Sequence, residues 1–352
     1  MIIYLINIAL ILFWRVFFAE SRFKNGRKLF CWAAAIQWIL VSGLRAWDVG
    51  ADTENYANIF SQMENQSWGS IFVNFAQSLR SGEIDEVGYK LIMKIFQIFS
   101  SDYQLYLLAI AVLLMGLMTR WIYKYSASPC TSFILFSTLF YSFYGVTGHR
   151  QTIATALIVF YGYDLIRDRK FWRFLLISVV AFFIHKSSIV FVPLFFLSLI
   201  PATPLYKWLC AVGIGMVAIF GVPVYRTFAL WLGYSEHQIN YAEGGAELFA
   251  SLLIALCVIT WIFHPQIKRN RQDADHLFHA ISMALLTALF VLQNQGFMRV
   301  QQYYSLFIMI AIPELINLVK REYRLPVYMA FGAVMVAYLI IQNPYYAFFW
   351  MG

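Results

Sequence analysis

"SFILFSTLFYSFYGVTGHRQTIATALIVFYGY", residues 132–163, decides the fold. Two apolar runs, 132–145 and 152–163, flank the polar "GHRQ" at 148–151, and apart from tyrosines the only ionisable residues in the stretch are His149 and Arg150. A bilayer core about 30 Å thick takes roughly 20 apolar helical residues per crossing. The stretch therefore reads as one membrane helix ending, a polar turn, and a second helix starting.

The rest of the chain repeats this pattern. With 61% hydrophobic and only 12% charged residues, a soluble core with an ordinary polar surface is excluded. Apolar windows near 1–19, 29–44, 104–119, 130–147, 150–166, 171–184, 187–203, 205–222, 248–264, 277–293, 300–317 and 326–342 predict an all-α polytopic integral membrane protein with about twelve transmembrane helices. The chain forms a single domain over 1–352. Residues 171–203 read as two short spans meeting at "HKSS" (185–188), because a single crossing there would reverse the charge bias downstream.

The first run carries its positive charges after it, at Arg15, Arg22, Lys24, Arg27 and Lys28, and so reads as an uncleaved anchor with its N-terminus outside. With that orientation 18 of the 26 Lys and Arg residues fall on the inner side and 8 on the outer. The net charge of +8 is then a topology signal carried by short loops, and no nucleic-acid partner is expected. Cys31, Cys130, Cys210 and Cys257 lie in apolar runs without metal or disulfide spacing. There is no Gly-rich nucleotide loop and no internal repeat, and no cofactor is expected; a divalent metal held by Asp52 and Glu86 is an alternative that the nearby arginines make unnecessary.

Two outer loops stand out, 45–103 and 223–247. In the first, "NYANIFSQM", "WGSIFVNFAQSL" and "GYKLIMKIFQIF" place apolar residues at helical spacing and predict amphipathic helices on the membrane surface. The outer side also gathers Arg45, Asp48, Asp52, Glu54, Glu86, His149, Arg150, His185, Lys186 and Arg299 beside Tyr56, Tyr89, Gln151 and Tyr303. Ionisable groups at membrane depth are costly and usually mark a cavity or pathway. Arg150 at a helix start, where the dipole disfavours a cation, argues for an external anion, with Gln151 as a further donor. "GHRQ" reads as half of a phosphate or diphosphate clamp. Its competing reading is a structural ion pair of Arg150 with Asp52 or Glu86.

The same residues carry a resemblance. "SGLRAWDVGADTENYANIF" (42–60), "EVGYKLIMKIF" (86–96), "GHRQTIATAL" (148–157), "FFIHKSSIVFVPLFF" (182–196) and "GFMRVQQYY" (296–304) resemble the EpsG family of bacterial polysaccharide polymerases, Wzy-like membrane proteins. The resemblance implies a glycosyltransferase on the outer face of the bacterial cytoplasmic (inner) membrane. It would move a growing glycan from undecaprenyl diphosphate to the non-reducing end of a lipid-linked repeat unit. It also implies membrane lipids and a chain-length regulator protein as partners, and points to Arg45, Asp52, Tyr56, Glu86, Tyr89, Arg150, Gln151, His185 and Arg299. The layout is similar, at fold level only, to lipid-dependent glycosyltransferases of the GT-C type.

That chemistry assigns catalytic roles to Asp52, Glu86, His185 and Arg150: a base for the acceptor hydroxyl, Asp52 first, then Glu86 or His185, and cations for the departing diphosphate. Arg45, Tyr56, Tyr89, His149, Gln151, Lys186, Arg299 and Tyr303 form the substrate-binding set. An O-antigen ligase-like transferase would use a similar surface with another acceptor. A flippase or transporter should show repeated halves and midplane charges, and an acyltransferase an inner-face donor site.

Overall fold

The computed structural model describes residues 1–19, 23–82, 85–231, 246–292 and 294–351, and these are helical nearly throughout. No strand is present among the described residues, only an isolated bridge between Arg45 and Phe348. Among the described residues five helices are long and apolar enough to cross a membrane: Tyr103–Tyr125, Pro129–Thr147, Pro204–Gly221, Ala274–Val291 and Arg321–Gln342. Glu247–Ile262 and His264–Asn270, bent by 62°, make a sixth if taken together. Ile2–Phe17, Phe171–Ile184, Lys186–Leu197 and Ile308–Leu318 are apolar but short. The helix beginning at Pro204 does not stop at 222 as the sequence suggests; it continues through Pro223 to Trp231. The remainder of the expected outer loop 223–247 lies largely at 232–245, outside the described residues.

Polar contacts gather at two opposite ends of the bundle. At one end, the Met1 amine donates to Pro344 O at 2.6 Å, Ala46 N to Ala347 O at 2.9 Å, and Arg150 pairs with Glu86. At the other, Asp164 holds Arg120 and Lys124, Asp273 holds Arg167 and Arg271, and Arg271 also reaches Glu314 at 2.8 Å. The helical segments from His149 to Arg167 join the two ends; the fourteen steps from Arg150 to Asp164 rise roughly 20 Å. The chain reverses at His185. Lys170 N bonds Leu165 O and Ala202 N bonds Asp275 at the Asp164 end, whereas His185 contacts Glu86 at the Arg45 end.

The surface between the ends is apolar. Trp172, Leu176, Trp208, Met216, Ile219, Phe220, Leu325, Met329 and Ile341 are all exposed, a belt that water would not tolerate on a soluble fold. The core is aromatic, with Trp121 fully buried and edge-on to Phe307 at 5.5 Å.

The predicted amphipathic segments form helices Thr53–Asn65, Trp68–Ser81 and Val87–Gln97. Tyr56, Phe60 and Met63 of the first are buried at spacings of three and four, the signature of a helix lying on a core. Ser67 caps the second by accepting from Ser70 N, and Gly82 in the left-handed region ends it.

Candidate functional site

"GHRQ" sits in an unusual local frame. Pro129–Leu135 is α-helical, but Phe136–Thr147 winds as π-helix, and after His149–Thr155 a second π-helical turn covers Ala156–Tyr161. Wide turns of this kind are rare and concentrate at functional sites. Gly148 closes the first segment by donating its N–H to Phe143 O at 2.8 Å, and a Cβ there would meet the Phe143 ring at 2.9 Å. The next helix starts at once, Thr152 N donating to Gly148 O and Thr152 Oγ1 to Tyr144 O. His149 and Arg150 thus stand on a tight, rigid reversal.

Glu86 is brought to this reversal by Gly88. A Cβ on Gly88 would lie 2.9 Å from the Phe183 carbonyl carbon and oxygen, so only glycine lets the helix Val87–Gln97 touch the end of Phe171–Ile184. The Glu86 carboxylate then accepts three bonds: from Arg150 Nη1 at 2.6 Å, His185 Nδ1 at 2.7 Å and the Lys186 backbone N–H at 3.1 Å. Burial raises its pKa, but the hydrogen bond and charge of His185, the Arg150 guanidinium and the Lys186 N–H outweigh that and hold it at about 2. A carboxylate so fully engaged is a poor proton acceptor. His185 Nε2 is buried with no partner among the described residues, and so is Arg150 Nε, although the Arg150 side chain as a whole is 37% exposed.

A second pair lies beside the first. Arg45, buried, meets His149 Nε2 at 2.8 Å through Nη2 and caps Ser42 O through Nη1. A guanidinium can only donate, so His149 Nε2 is the acceptor and its ring is neutral with the proton on Nδ1. Burial lowers Arg45 to about 10, still charged at neutral pH. Tyr56 joins the two pairs: its ring stacks on His149 with centroids 4.5 Å apart, lies 5.5 Å from Arg150 Cζ, and sits 5.7 Å from Tyr89.

Not every expected residue enters this cluster. Asp52 is exposed as the residue before helix Thr53–Asn65, and makes no side-chain hydrogen bond or ion pair among the described residues. Tyr89 is 2% exposed, and Tyr303 is fully buried and bonded to Ser187 at 3.1 Å. Gln151 is likewise buried and donates to Arg299 O at 2.7 Å, tying two helices together. His149, expected in the substrate-binding set, is 2% exposed. Arg150, for which an external anion or an ion pair with Asp52 or Glu86 was expected, pairs with Glu86, whose backbone is brought in by Gly88. Among the described residues no three His, Cys, Asp or Glu side chains gather as a metal site.

Arg299 instead lines a separate cavity of about 790 Å³, across the Thr147–Gly148 turn from Glu86. Asp48, Gly50, Gln295, Arg299 and Gln302 contribute polar groups, and Tyr4, Tyr141, Tyr338 and Tyr345 contribute rings. One wall, from Thr138 to Thr147, is the π-helical segment. Gln302 is 2% exposed and its Oε1 has no partner among the described residues. Sequence reading missed this cavity, because Gln302 and the π-helical wall carry no local signal. Asp48 was visible as an outer charge, one turn before Asp52.

No curated protein and no solved structure matches the chain. A family model described as the EpsG family matches residues 28–351, nearly the whole length. The chain belongs to the EpsG family.

Proposed function

We propose that this protein is a Wzy-type polysaccharide polymerase, a glycosyltransferase that moves a glycan from undecaprenyl diphosphate to the non-reducing end of a lipid-linked repeat unit. Family membership supports polysaccharide biosynthesis in a membrane. The observation that carries the finer reading is the Glu86 carboxylate holding Arg150 and His185 side by side, with an unpartnered nitrogen left on each. We read the twelve apolar segments of the sequence as twelve crossings, with the N-terminus and the Arg45 end outside the bacterial cytoplasmic membrane. We read 1–352 as a single domain.

In this reading His185, oriented through Nδ1 by Glu86, takes the acceptor hydroxyl proton at Nε2. The acceptor oxygen forms a bond to the anomeric carbon while the bond to the diphosphate breaks, its electron pair leaving with the phosphate oxygen. Arg150, still free at Nε, stabilises that developing charge by charge-assisted hydrogen bonds. Arg45 holds His149, on which Tyr56 stacks. The cavity of about 790 Å³ falls in the range of about 300–1,000 Å³ usual for ligand sites, and its tyrosines and amides suit sugar faces and hydroxyls. We assign it to the glycan, with Arg299, Asp48 and Gln302 as contacts.

A ligase-like transferase differs only in acceptor. A flippase is disfavoured because the ionic clusters lie at the two ends of the bundle. The test is the surface glycan of a deletion strain. A polymerase leaves single repeat units outside; their absence, with lipid-linked units trapped inside, would indicate a transporter.

A further inference from the structure

A second cavity, of about 370 Å³, opens at the Asp164 end, far from Glu86. Arg15, Arg27 and Arg324 line it together with Ser128, Asn317 and Tyr328. The three arginines come from three different helices: the last turn of Ile2–Phe17, the first turn of Gly26–Gly43 and the first turn of Arg321–Gln342. No carboxylate contributes to the lining, and among the described residues none of the three arginines forms an ion pair.

What the arginines do bind is uncharged. Arg27 Nη2 donates to Tyr123 O at 2.9 Å and Ser126 O at 2.6 Å. Arg324 donates through Nε to Val319 O at 2.9 Å and through Nη2 to Asn317 O at 2.7 Å. These bonds orient the forks without cancelling their charge. On the other side of the same loop Arg271 does the matching job, donating to Tyr125 O at 2.8 Å, yet it is neutralised by Asp273 at 2.7 Å and Glu314 at 2.8 Å. Where an arginine serves only to hold the loop, the fold supplies acids. Around the cavity it supplies none, and like charges brought together without a counter-ion repel.

We propose that this cavity binds a phosphate group. Three guanidiniums on separate helices present planar donor forks, the geometry that recognises phosphate. Basic pockets between membrane helices near the bilayer surface are a known setting for phosphate headgroups. The phosphate comes either from an anionic phospholipid of the adjacent leaflet or from a soluble phosphorylated compound, and the chemistry is shared. Binding there staples the first two helices and the last one, whose starts and ends converge on the cavity.

The test uses the full-length protein purified in detergent. Phosphatidylglycerol is titrated against phosphatidylcholine in one arm, and sodium phosphate against sodium chloride at equal ionic strength in the other. Thermal unfolding and native mass spectrometry read the binding. The expected result is a saturable rise in Tm and a retained adduct with phosphatidylglycerol, with phosphate, or with both, and with neither control. Lipid alone identifies a headgroup; a response to phosphate identifies a soluble ligand. Arg15→Gln, Arg27→Gln and Arg324→Gln should each weaken the response about tenfold, as expected for loss of one charged hydrogen-bonding group. Arg15 is exposed and makes no hydrogen bond among the described residues, so Arg15→Gln keeps the test valid if the other variants fold poorly. Equal responses to phosphate-bearing and control probes, or an unchanged response in Arg15→Gln, overturn the proposal.

Discussion

His185 donates its Nδ1–H to Glu86 Oε1 at 2.7 Å, and the same carboxylate takes Arg150 Nη1 at 2.6 Å on its other oxygen. One acid therefore sets the tautomer of a base and the position of a cation, from a helix neither belongs to. In the proposed mechanism this pairing puts His185 ahead of Asp52 as the base, whereas Asp52 stood first in the sequence reading.

The ranking gives the first prediction. His185→Gln should reduce the glycan to single units, because it removes the Nε2 lone pair that the proposed mechanism uses as base. Glu86→Gln should shorten chains by a smaller factor, since an amide can still orient His185. Asp52→Asn should retain long chains. A side-by-side glycan ladder with protein levels checked by blot measures all three, and single units in Asp52→Asn would return the base role to Asp52.

Arg150→Lys keeps the charge but loses the planar fork, so it cannot hold Glu86 and a phosphate oxygen at once. Polymerisation should fall at least about tenfold, the loss of one charged hydrogen bond, with membrane abundance near that of the parent. Unchanged chain lengths in this variant would rule out the fork as a phosphate ligand.

Gly88→Ala tests how the site is assembled. Its methyl would meet the Phe183 backbone at 2.9 Å, which cannot yield as a side chain end could. The expected cost is about 1–3 kcal/mol, the range for an overpacked contact, with a loss of activity out of proportion to the loss of stability because Glu86 is displaced. Parental Tm and parental chain length together would show that the helix moves freely at this contact.

The Glu86 carboxyl, held at about 2 in the folded protein against an ordinary value of 4.5, contributes stability that is complete above about pH 4.5 and is lost as pH falls toward 2. The shift corresponds to about 3 kcal/mol. The Tm difference between parent and Glu86→Gln should shrink as pH falls from about 4.5 toward 2. A difference that grows over that range would mean the carboxyl is not the charged partner.

Orientation is tested by labelling. A cysteine at residue 70, in the helix Trp68–Ser81, should react with an impermeant thiol reagent in intact cells, and one at Arg269, in His264–Asn270, should not. The reverse pattern would place Glu86 and His185 in the cytoplasm and remove the lipid-diphosphate reading.

The membrane class, the alternation of apolar segments and the helices of the first long loop were legible in the chain, because hydrophobic burial depends on local composition and on a period of 3.6 residues. Tyr56, Phe60 and Met63 show their buried stripe in sequence order alone. So do the residue types of the site, since Glu86, Arg150 and His185 are conspicuous charges beside apolar runs. Which of them meet was decided only in three dimensions. Glu86 reaches Arg150 across 64 positions and His185 across 99, through an approach that rests on one missing methyl at Gly88. The same holds for the cavity beside Arg299, whose wall exists because Phe136–Thr147 winds wider than an α-helix. Contacts between distant segments are set by packing, and packing is a property of surfaces the linear sequence does not juxtapose.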